Sequence, residues 1–321
     1  MVVLRNSFKA RRQFVKLQDE GEALYFIANL HALTSLRDGK LARRYTFETA
    51  VAFLALGVDP ARATLFRQSD VPEVTELFWI LGTVIPVSNL ESATSYRDKI
   101  ENLKIATPKF GLFSYPALMA ADILLYDAEV VPVGKDQLQH LELTRDWAAK
   151  FNLAYCPGYD PAAKERKGLL KLPTARVQAE TAVVPGTNGG KMSKTSNNTI
   201  SLFGPDKEVE KAIKGIKTDS TAVEAPKPTT DAPLYELLKL VAPADEWAGL
   251  DAQWRAGGKG YGHFKGELIR CYHQAFDGPR RRYAELAANP DEVERILQEG
   301  ARCARARAAP VIQRVREAVG L

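Results

Sequence analysis

Residues 131–137, Val-Pro-Val-Gly-Lys-Asp-Gln, pass from a short apolar run through a glycine into a charged segment. The apolar run at 130–133 predicts a strand, and the spacing of residues 136–151 predicts an amphipathic helix. The glycine between them lets a ligand approach the backbone closely, because it has no side chain. A strand followed by a short turn and a helix is the repeating unit of parallel sheets that are covered by helices.

The first two thirds of the chain repeat this alternation of strand and helix. Apolar runs predict further strands at 24–30 and 64–66, and helical spacing predicts helices at 46–56, 72–81 and 117–126. Such alternation predicts an α/β fold with a parallel sheet and helices on both of its faces. Ligands of these sheets bind beyond the carboxyl ends of the strands, so we expect the site there.

The last third of the chain lacks strand signals. Residues 226–233 form a proline-containing, linker-like or loop stretch, and the glycine-rich residues 257–262 follow no strand. We therefore interpret 257–262 as a turn between helices and not as a dinucleotide-binding loop. The helices predicted here span residues 234–241, 264–276, 280–288 and 290–319. The chain is thus expected to divide into an α/β domain, residues 1–203, and an all-helical domain, residues 204–321.

The composition is that of an ordinary globular protein with a mildly basic charge. The 321 residues carry a formal net charge of +5, which permits a nucleic-acid partner without requiring one. The 3 cysteines lie far apart and show no Cys-x-x-Cys spacing, so neither a disulfide framework nor a zinc site is indicated. No apolar run reaches the roughly 18 residues of a membrane span. A reduced, cytoplasmic location is the expectation.

The predicted helix at 117–126 and the residues just before it carry three side chains that suit a pocket. Tyr115, Met119 and Asp122 are spaced i, i+4 and i+7, so they share one helix face. An aromatic ring, a thioether and a carboxylate could line a pocket for a flat, apolar molecule that bears one N–H group. The alternative is that Tyr115 and Met119 are plain core and that Asp122 bonds the backbone or an arginine, since a buried carboxylate needs a partner.

The turn after the predicted strand at 130–133 offers polar groups to a ligand. Asp136 could accept a hydrogen bond from a ribose hydroxyl, and Gln137 could bind an amine or a carboxylate. The alternative is that Asp136 is only an acid at the start of a helix, where the helix dipole favours it. The pattern alone leaves both interpretations open.

Residues 189–196, Gly-Gly-Lys-Met-Ser-Lys-Thr-Ser, place two lysines three positions apart, just after the Pro-Gly pair 185–186. Two ammonium groups on such a loop could neutralise the charge that develops when a phosphoanhydride breaks. The alternative is a solvated basic surface loop, which is the usual meaning of a lone lysine pair at this spacing. The Met-Ser pair between the lysines makes this stretch more specific than a lone pair.

These motifs resemble, in order and spacing, those of the bacterial tryptophanyl-tRNA synthetases, which are class I aminoacyl-tRNA synthetases. Residues 191–195, Lys-Met-Ser-Lys-Thr, resemble the KMSKS signature of that class, with Thr195 in place of the last serine. Residues 115–126 and 131–145 resemble two further motifs, and the similarity extends from about Phe14 to the C-terminus. The resemblance implies a Rossmann-like catalytic domain followed by a helical tRNA-binding domain, whose last helix can pack back on the catalytic domain.

The resemblance also implies a role for each matching residue. Asp122 matches the acid that accepts the indole N–H of tryptophan, and Lys191 and Lys194 match the catalytic lysines of the signature loop. The residues implied to bind tryptophan are His31, Tyr115, Met119, Asp122, Val131, Val133 and Gln137. The residues implied to bind ATP are Asn6, Gly134, Lys135, Asp136, Val184, Lys191, Met192, Ser193, Lys194 and Thr195. No residue is expected to ligate a metal, and Mg²⁺ is expected on the phosphates of ATP.

The activity implied by the resemblance is that of a tryptophan–tRNA ligase. ATP would activate L-tryptophan to tryptophanyl-adenylate, and tRNA(Trp) would then accept the tryptophanyl group. The family also implies a homodimer with an interface around residues 72–99. The alternatives are a catalytically impaired, truncated paralogue that binds tryptophan, tRNA or a partner, and a tyrosyl-type synthetase. The combination of Met119 and Asp122 on an otherwise apolar wall argues against the tyrosyl type.

The start of the chain departs from the family pattern. Residues 3–6, Val-Leu-Arg-Asn, stand where the family has a His-x-Gly-Asn signature, and only Asn6 matches. The first strand, which is central in the family's sheet, is expected to be missing, which would leave backbone groups of two neighbouring strands unpaired at about 1–3 kcal/mol each if buried. A reading frame that was started too late, a decaying copy and a pseudo-synthetase would each give this pattern.

Overall fold

The structure is a computed structural model that describes residues 15–93, 96, 100, 107–134, 137–163, 168–177, 184–193 and 196–321. Strands and helices alternate in its first part, and only helices follow residue 205. The strands are β1 (Ala23–Ile27), β2 (Ala63–Arg67), β3 (Val130–Val133) and β4 (Thr174–Val177). The helices are α1 (Val15–Leu17), α2 (Asn29–Ala32), α3 (Gly39–Ala55), α4 (Glu73–Gly82), α5 (Val87–Ser92), α6 (Phe110–Leu124), α7 (Leu138–Tyr155), α8 (Asp206–Lys214), α9 (Pro233–Val241), α10 (Ala244–Ala256), α11 (Tyr261–Ala288) and α12 (Pro290–Val319).

The strands pair in parallel, as the alternation predicts. β1 pairs with β2 from Ala23 opposite Ala63 to Ile27 opposite Arg67. β3 pairs with β4, which the sequence did not predict. Among the described residues the strands form two separate two-stranded sheets instead of one continuous sheet. Residues 3–6, which stand where the family has its His-x-Gly-Asn signature, lie outside the described residues, so the structure does not test the expected loss of a first strand.

The chain folds into two compact units, each built from several segments. The strand unit comprises Ala23–Phe47, Ala63–Glu180 and Glu294–Leu321. The helical unit comprises Met1–Glu22, Glu48–Arg62 and Thr181–Val293. These units group residues by packing and not by role, so the division at residue 203 into catalytic and tRNA-binding domains stays a prediction.

The core of the strand unit is formed by β2, α4, α6, α7 and α12. Phe66 of β2 and Trp147 of α7 are fully buried in it. The contribution of α12 is a stripe of small and branched residues that face the same core: Ala301, Ala304, Ala308, Val311, Ile312 and Val315. This helical spacing lets α12 approach the sheet closely. At Gly300 the approach is so close that an added Cβ would lie 1.9 Å from the carbonyl oxygen of Leu65.

The core of the helical unit is formed largely by α9, α10 and α11. Trp254 and Phe264 are buried in it with ring centroids 4.6 Å apart. The turn before α11 is the glycine-rich stretch, which confirms its interpretation as an interhelical turn. Gly257 has φ +77° there, and an added Cβ would lie 2.2 Å from the carbonyl oxygen of Glu224, so only glycine fits. Residues 226–232 form a loop that is bonded to α10, since Trp254 Nε1 donates to Pro228 O at 3.0 Å, and Pro233 already begins α9.

Two predicted helix boundaries at prolines are wrong. The sequence places separate helices at 264–276 and 280–288, but α11 runs through Pro279. Likewise α6 begins at Phe110 and contains Pro116. A proline inside a helix costs about 3 kcal/mol or more because a hydrogen bond is lost. Burial on both sides of Pro279, at Phe276 and Leu286, offsets that cost in α11.

One further boundary differs, and two further helices are present that were not predicted. Helix α3 begins earlier than predicted because the Asp38 carboxylate accepts hydrogen bonds from the N–H groups of Lys40 and Leu41, at 2.8 and 3.0 Å. Helices α8 and α10 were not predicted: α8 has 9 residues and only three apolar ones, and α10 buries only Leu250 and Trp254. Among the described residues, no helix is both long and apolar enough to span a membrane.

Replacing Gly300 by alanine should lower the free energy of unfolding by about 1–3 kcal/mol, because the new methyl group collides with the backbone of β2. Gly266 of α11 is the matched control, since nothing lies within 4 Å of its Cβ position. There the same change should raise stability by up to about 1 kcal/mol, through helix propensity alone. Urea unfolding followed by circular dichroism measures both. Equal gains in the two variants would contradict the close contact.

Candidate active site

The candidate site in the strand unit is organised around Asp122 on α6. Asp122 is only 4% exposed, and it shares a face of α6 with Tyr115 and Met119, as the spacing predicted. Burying a carboxylate in an apolar helix costs several kcal/mol unless hydrogen bonds replace its water. The side chains that supply those bonds lie at the ends of β1 and β2.

Two side chains hydrogen-bond the carboxylate. Gln68 Nε2 donates to both oxygens of Asp122 at 2.8 Å, and His31 Nε2 lies 2.8 Å from Oδ2. A carboxylate only accepts, so His31 Nε2 must carry the proton of this bond. Oδ2 thus accepts two bonds and Oδ1 accepts one among the described residues, which leaves Oδ1 able to accept another. Among the described residues, the partners of the carboxylate are a histidine and a glutamine, and not the backbone or an arginine.

Burial raises the pKa of the Asp122 carboxyl above its ordinary value, and the hydrogen bond from His31 counteracts part of that rise. Among the described residues, the hydrogen bonds from His31 and Gln68 favour the charged form of the carboxyl, whereas its burial opposes that form. Because its pKa is raised, the Asp122 carboxyl becomes protonated, and so becomes a weaker acceptor, at a higher pH than an exposed aspartate does. The affinity for any ligand that donates a hydrogen bond to Oδ1 should therefore depend on this protonation.

Gln68 is the important residue that the sequence reasoning missed. It begins a 3-10 turn that directly follows β2, and it is 1% exposed. Its Oε1 accepts the backbone N–H of Leu30 at 3.1 Å and of His31 at 3.4 Å, while its Nε2 donates to Asp122. Gln68 therefore fixes both the carboxylate and the turn that carries His31. The sequence did contain one indication of this role, because Gln68 follows the carboxyl end of a predicted strand, where ligand sites of parallel sheets lie.

The apolar residues predicted to line the site come together where α6 packs against β3. Val133 is buried in a small cluster with Ile123 and Leu141, and Met119 and Val131 pack against that cluster. Tyr115 lies between two imidazoles, with ring centroids 6.3 Å from His31 and 5.6 Å from His140. The structure thus supplies apolar and aromatic surfaces on the same helix that carries Asp122. Gln137 follows β3 and donates its backbone N–H to Gly134 O at 2.9 Å.

The described signature residues, Lys191–Ser193, belong to the helical unit and lie in a hairpin with residues 184–186. Pro185 and Lys191 are paired in an antiparallel bridge, and the N–H of Met192 donates to Val184 O at 3.0 Å. Lys191 is exposed, whereas the Met192 side chain is 0% exposed and packs in the core of the helical unit. Met192 can therefore contribute to ATP binding only through its backbone. Its side chain anchors the hairpin.

The remaining predicted residues lie outside the described part of the chain. They are Asn6, Lys135, Asp136, Lys194 and Thr195. Among the described residues, no group of three or more His, Cys, Asp or Glu side chains is arranged to hold a metal ion.

Comparison with known proteins identifies the family. Residues 7–243 match the family model of the class I tRNA synthetases (W and Y). The tryptophan–tRNA ligase of Campylobacter jejuni (strain RM1221) is 43% identical over 319 residues, which cover 98% of this chain and 95% of the relative. The chain belongs to the tryptophanyl-tRNA synthetase family.

Other members of the tryptophanyl-tRNA synthetase family agree. The tryptophan–tRNA ligase of Rhodopirellula baltica is 44% identical over 316 residues, which cover 98% of this chain and 95% of the relative. The solved structure of Campylobacter jejuni tryptophanyl-tRNA synthetase, complexed with ADP and tryptophan, superposes with a TM-score of 0.90 at 42% identity. That superposition covers 100% of this chain and 96% of the solved chain.

The raised pKa of Asp122 predicts how the affinity for L-tryptophan depends on pH. The protonated carboxyl is a weak acceptor, so the affinity should fall as the pH drops through a value above that of ordinary aspartate. In Asp122→Asn, an amide that does not titrate replaces the carboxyl, so this pH dependence should disappear. Isothermal titration calorimetry across the acid range measures both. An identical pH profile in the two proteins would contradict the assignment.

Replacing Gln68 by leucine should lower the affinity for L-tryptophan about 10-fold or more. The reason is that each oxygen of Asp122 loses a hydrogen bond and the carboxylate is no longer held in its orientation. The matched control is Gln18→Leu, since Gln18 is also a buried glutamine and bonds backbone groups of Gly57 and Asp59. Both variants should be less stable, but only Gln68→Leu should bind tryptophan more weakly. Equal affinities would show that Gln68 is merely structural.

Proposed function

We propose that the chain is a tryptophan–tRNA ligase. It would activate L-tryptophan with ATP to form tryptophanyl-adenylate and pyrophosphate, and then transfer the tryptophanyl group to tRNA(Trp). The observation that carries this proposal is the buried Asp122 carboxylate, oriented by His31 and Gln68 beside an aromatic and apolar surface. The named relatives and the ligands of the solved Campylobacter jejuni structure support it.

Asp122 would select the amino acid through the indole N–H. A site built to bond an N–H rejects an analogue that lacks it by about 10⁴–10⁵, because the buried acceptor would be left unpaired. Phenylalanine has no donor for Oδ1, so it would leave this carboxylate short of a bond. The apolar surface of Met119, Val131 and Val133 would hold the flat face of the indole ring.

The first step needs no covalent nucleophile from the protein. The carboxylate of tryptophan would attack the α-phosphorus of ATP, and the bond from that phosphorus to the bridging oxygen of pyrophosphate would break. The protein would hold the two reactants in line and neutralise the negative charge on the leaving group. We assign that second role to Lys191 and Lys194. Mg²⁺ would arrive with ATP as part of the substrate.

We assign the remaining contacts to ATP in the same way. The residues assigned to ATP binding are Asn6, Gly134, Lys135, Asp136, Val184 and the signature residues Lys191–Thr195. Gly134 is exposed directly after β3, where a backbone can meet a ligand. The Val184 carbonyl already accepts the Met192 N–H, so its second lone pair would be the one that is open to adenine.

We further propose that residues 204–321 bind tRNA and that the enzyme is a cytoplasmic homodimer. The dimer is supported by exposed apolar side chains near the expected interface at 72–99. Trp79 of α4 is 72% exposed and Val87 of α5 is 60% exposed. Tryptophan is one of the residue types that are enriched in protein–protein interfaces.

The activity is tested by ATP–pyrophosphate exchange that depends on L-tryptophan. We expect exchange with tryptophan and none with phenylalanine. Exchange that tyrosine drives better than tryptophan would refute the assigned substrate. Retained tryptophan binding without any exchange would refute the enzymatic function and favour a binding paralogue.

Separate roles are expected for Asp122 and Lys191. Lys191→Ala should lower kcat for exchange about 10²-fold or more and leave the affinity for tryptophan unchanged, because charge stabilisation acts in the transition state. Asp122→Ala should mainly weaken tryptophan binding. Lys214→Ala, at an exposed helix position of the same unit, is the control and should change neither quantity. Equal losses of binding in the Asp122 and Lys191 variants would contradict this division.

A further inference from the structure

Asn198 lies just after the signature residues and is buried, with an exposed fraction of 2%, although Ser196 and Asn197 beside it are exposed. Its Oδ1 accepts the backbone N–H of Ser193 at 2.8 Å. Its Nδ2 donates to Asn188 Oδ1 at 2.7 Å and to Lys191 O at 3.2 Å. The Asn198 side chain therefore bonds Lys191 itself and also Asn188 before it and Ser193 after it.

The backbone of Asn198 joins the same hairpin. Its carbonyl oxygen accepts the N–H of Thr187 at 3.0 Å. A Cβ added at Gly186 would lie 2.1 Å from Asn198 Nδ2, so the amide fills the space beside that glycine. The amide group of Asn198 thus occupies the inside of the hairpin. Its bonds reach the turn, the first lysine and the serine of the signature.

We propose that Asn198 is a positioning residue for Lys191, because it fixes the backbone from which the ammonium group reaches the polyphosphate. This role rests on the proposed function of Lys191. The position of the lysine is then constrained by the bond from Asn198 to its carbonyl oxygen and by the buried Met192 side chain that follows it. A displacement of about 1 Å at a catalytic group can cost 10²-fold in rate.

Only an amide satisfies this arrangement. The contacts require an acceptor for Ser193 and two donors for Asn188 and Lys191 in one planar group. An aspartate at this position keeps the acceptor, but its second oxygen faces two other oxygens. An alanine removes all three bonds. The two substitutions therefore differ in size and charge but share the loss of the bond to the Lys191 carbonyl.

The experiment compares Asn198→Ala and Asn198→Asp with a control that has the same geometry elsewhere. Asn152 is 0% exposed, bonds both backbone groups of Leu170, and lies against Gly168 as Asn198 lies against Gly186. Asn152→Ala therefore reports the effect of removing a buried structural asparagine. Native-state cleavage by trypsin at the bond after Lys191, read by mass spectrometry, is the first measurement, and it does not depend on activity.

We expect cleavage after Lys191 to be at least about 10-fold faster in both Asn198 variants than in wild type or Asn152→Ala, since the bonds that hold the hairpin are lost. An unchanged cleavage rate overturns the proposal, whether or not the enzyme is active. Absence of exchange in the wild type would instead refute the proposed function.

The second measurement is kcat for tryptophan-dependent exchange. We expect a fall of about 10–100-fold in the Asn198 variants, with tryptophan affinity unchanged, and no fall in Asn152→Ala. Adding Lys191→Ala to Asn198→Ala should cost much less than Lys191→Ala costs in the wild type, because a displaced lysine contributes little. Full additivity of the two changes would overturn the positioning role.

Discussion

The hydrogen-bonded carboxylate of Asp122 is the constraint on which the strand unit depends. A buried charge of this kind is tolerated only if its partners are held in place. The partners His31 and Gln68 stand just beyond the paired ends of β1 and β2, where Ile27 lies opposite Arg67. Parallel pairing therefore does more than build a sheet, since its register brings a histidine and a glutamine to one carboxylate on a helix.

Much of this architecture could be predicted from local patterns. Period and composition gave the α/β class, the final helix and the shared face of Tyr115, Met119 and Asp122. Gln68 could not be found this way, because its meaning comes from Asp122, which is 54 residues away in the sequence. β4 was missed for a related reason, since its four residues are mostly exposed and carry no strong periodic signal.

The signature hairpin shows a different limit of sequence reasoning. A motif indicates which residues work together, but not which of them touch the ligand and which hold the motif in shape. Met192 has the second role, because its side chain is fully buried in the helical unit while Lys191 is exposed. Asn198 lies outside the signature motif 191–195, and only the three-dimensional structure shows that it is buried and hydrogen-bonded to that motif.

The contact between α12 and β2 has a consequence for synthesis of the chain on the ribosome. Residues 23–180 can emerge and begin to fold, but the part of their core that α12 covers stays exposed until Glu294–Leu321 has been made. The contact between β2 and α12, which joins residues far apart in the sequence, forms last, and the strand unit is prone to aggregation until then. A polypeptide released early would lack this cover, so chaperones and proteases could distinguish it from the finished enzyme by its apolar surface alone.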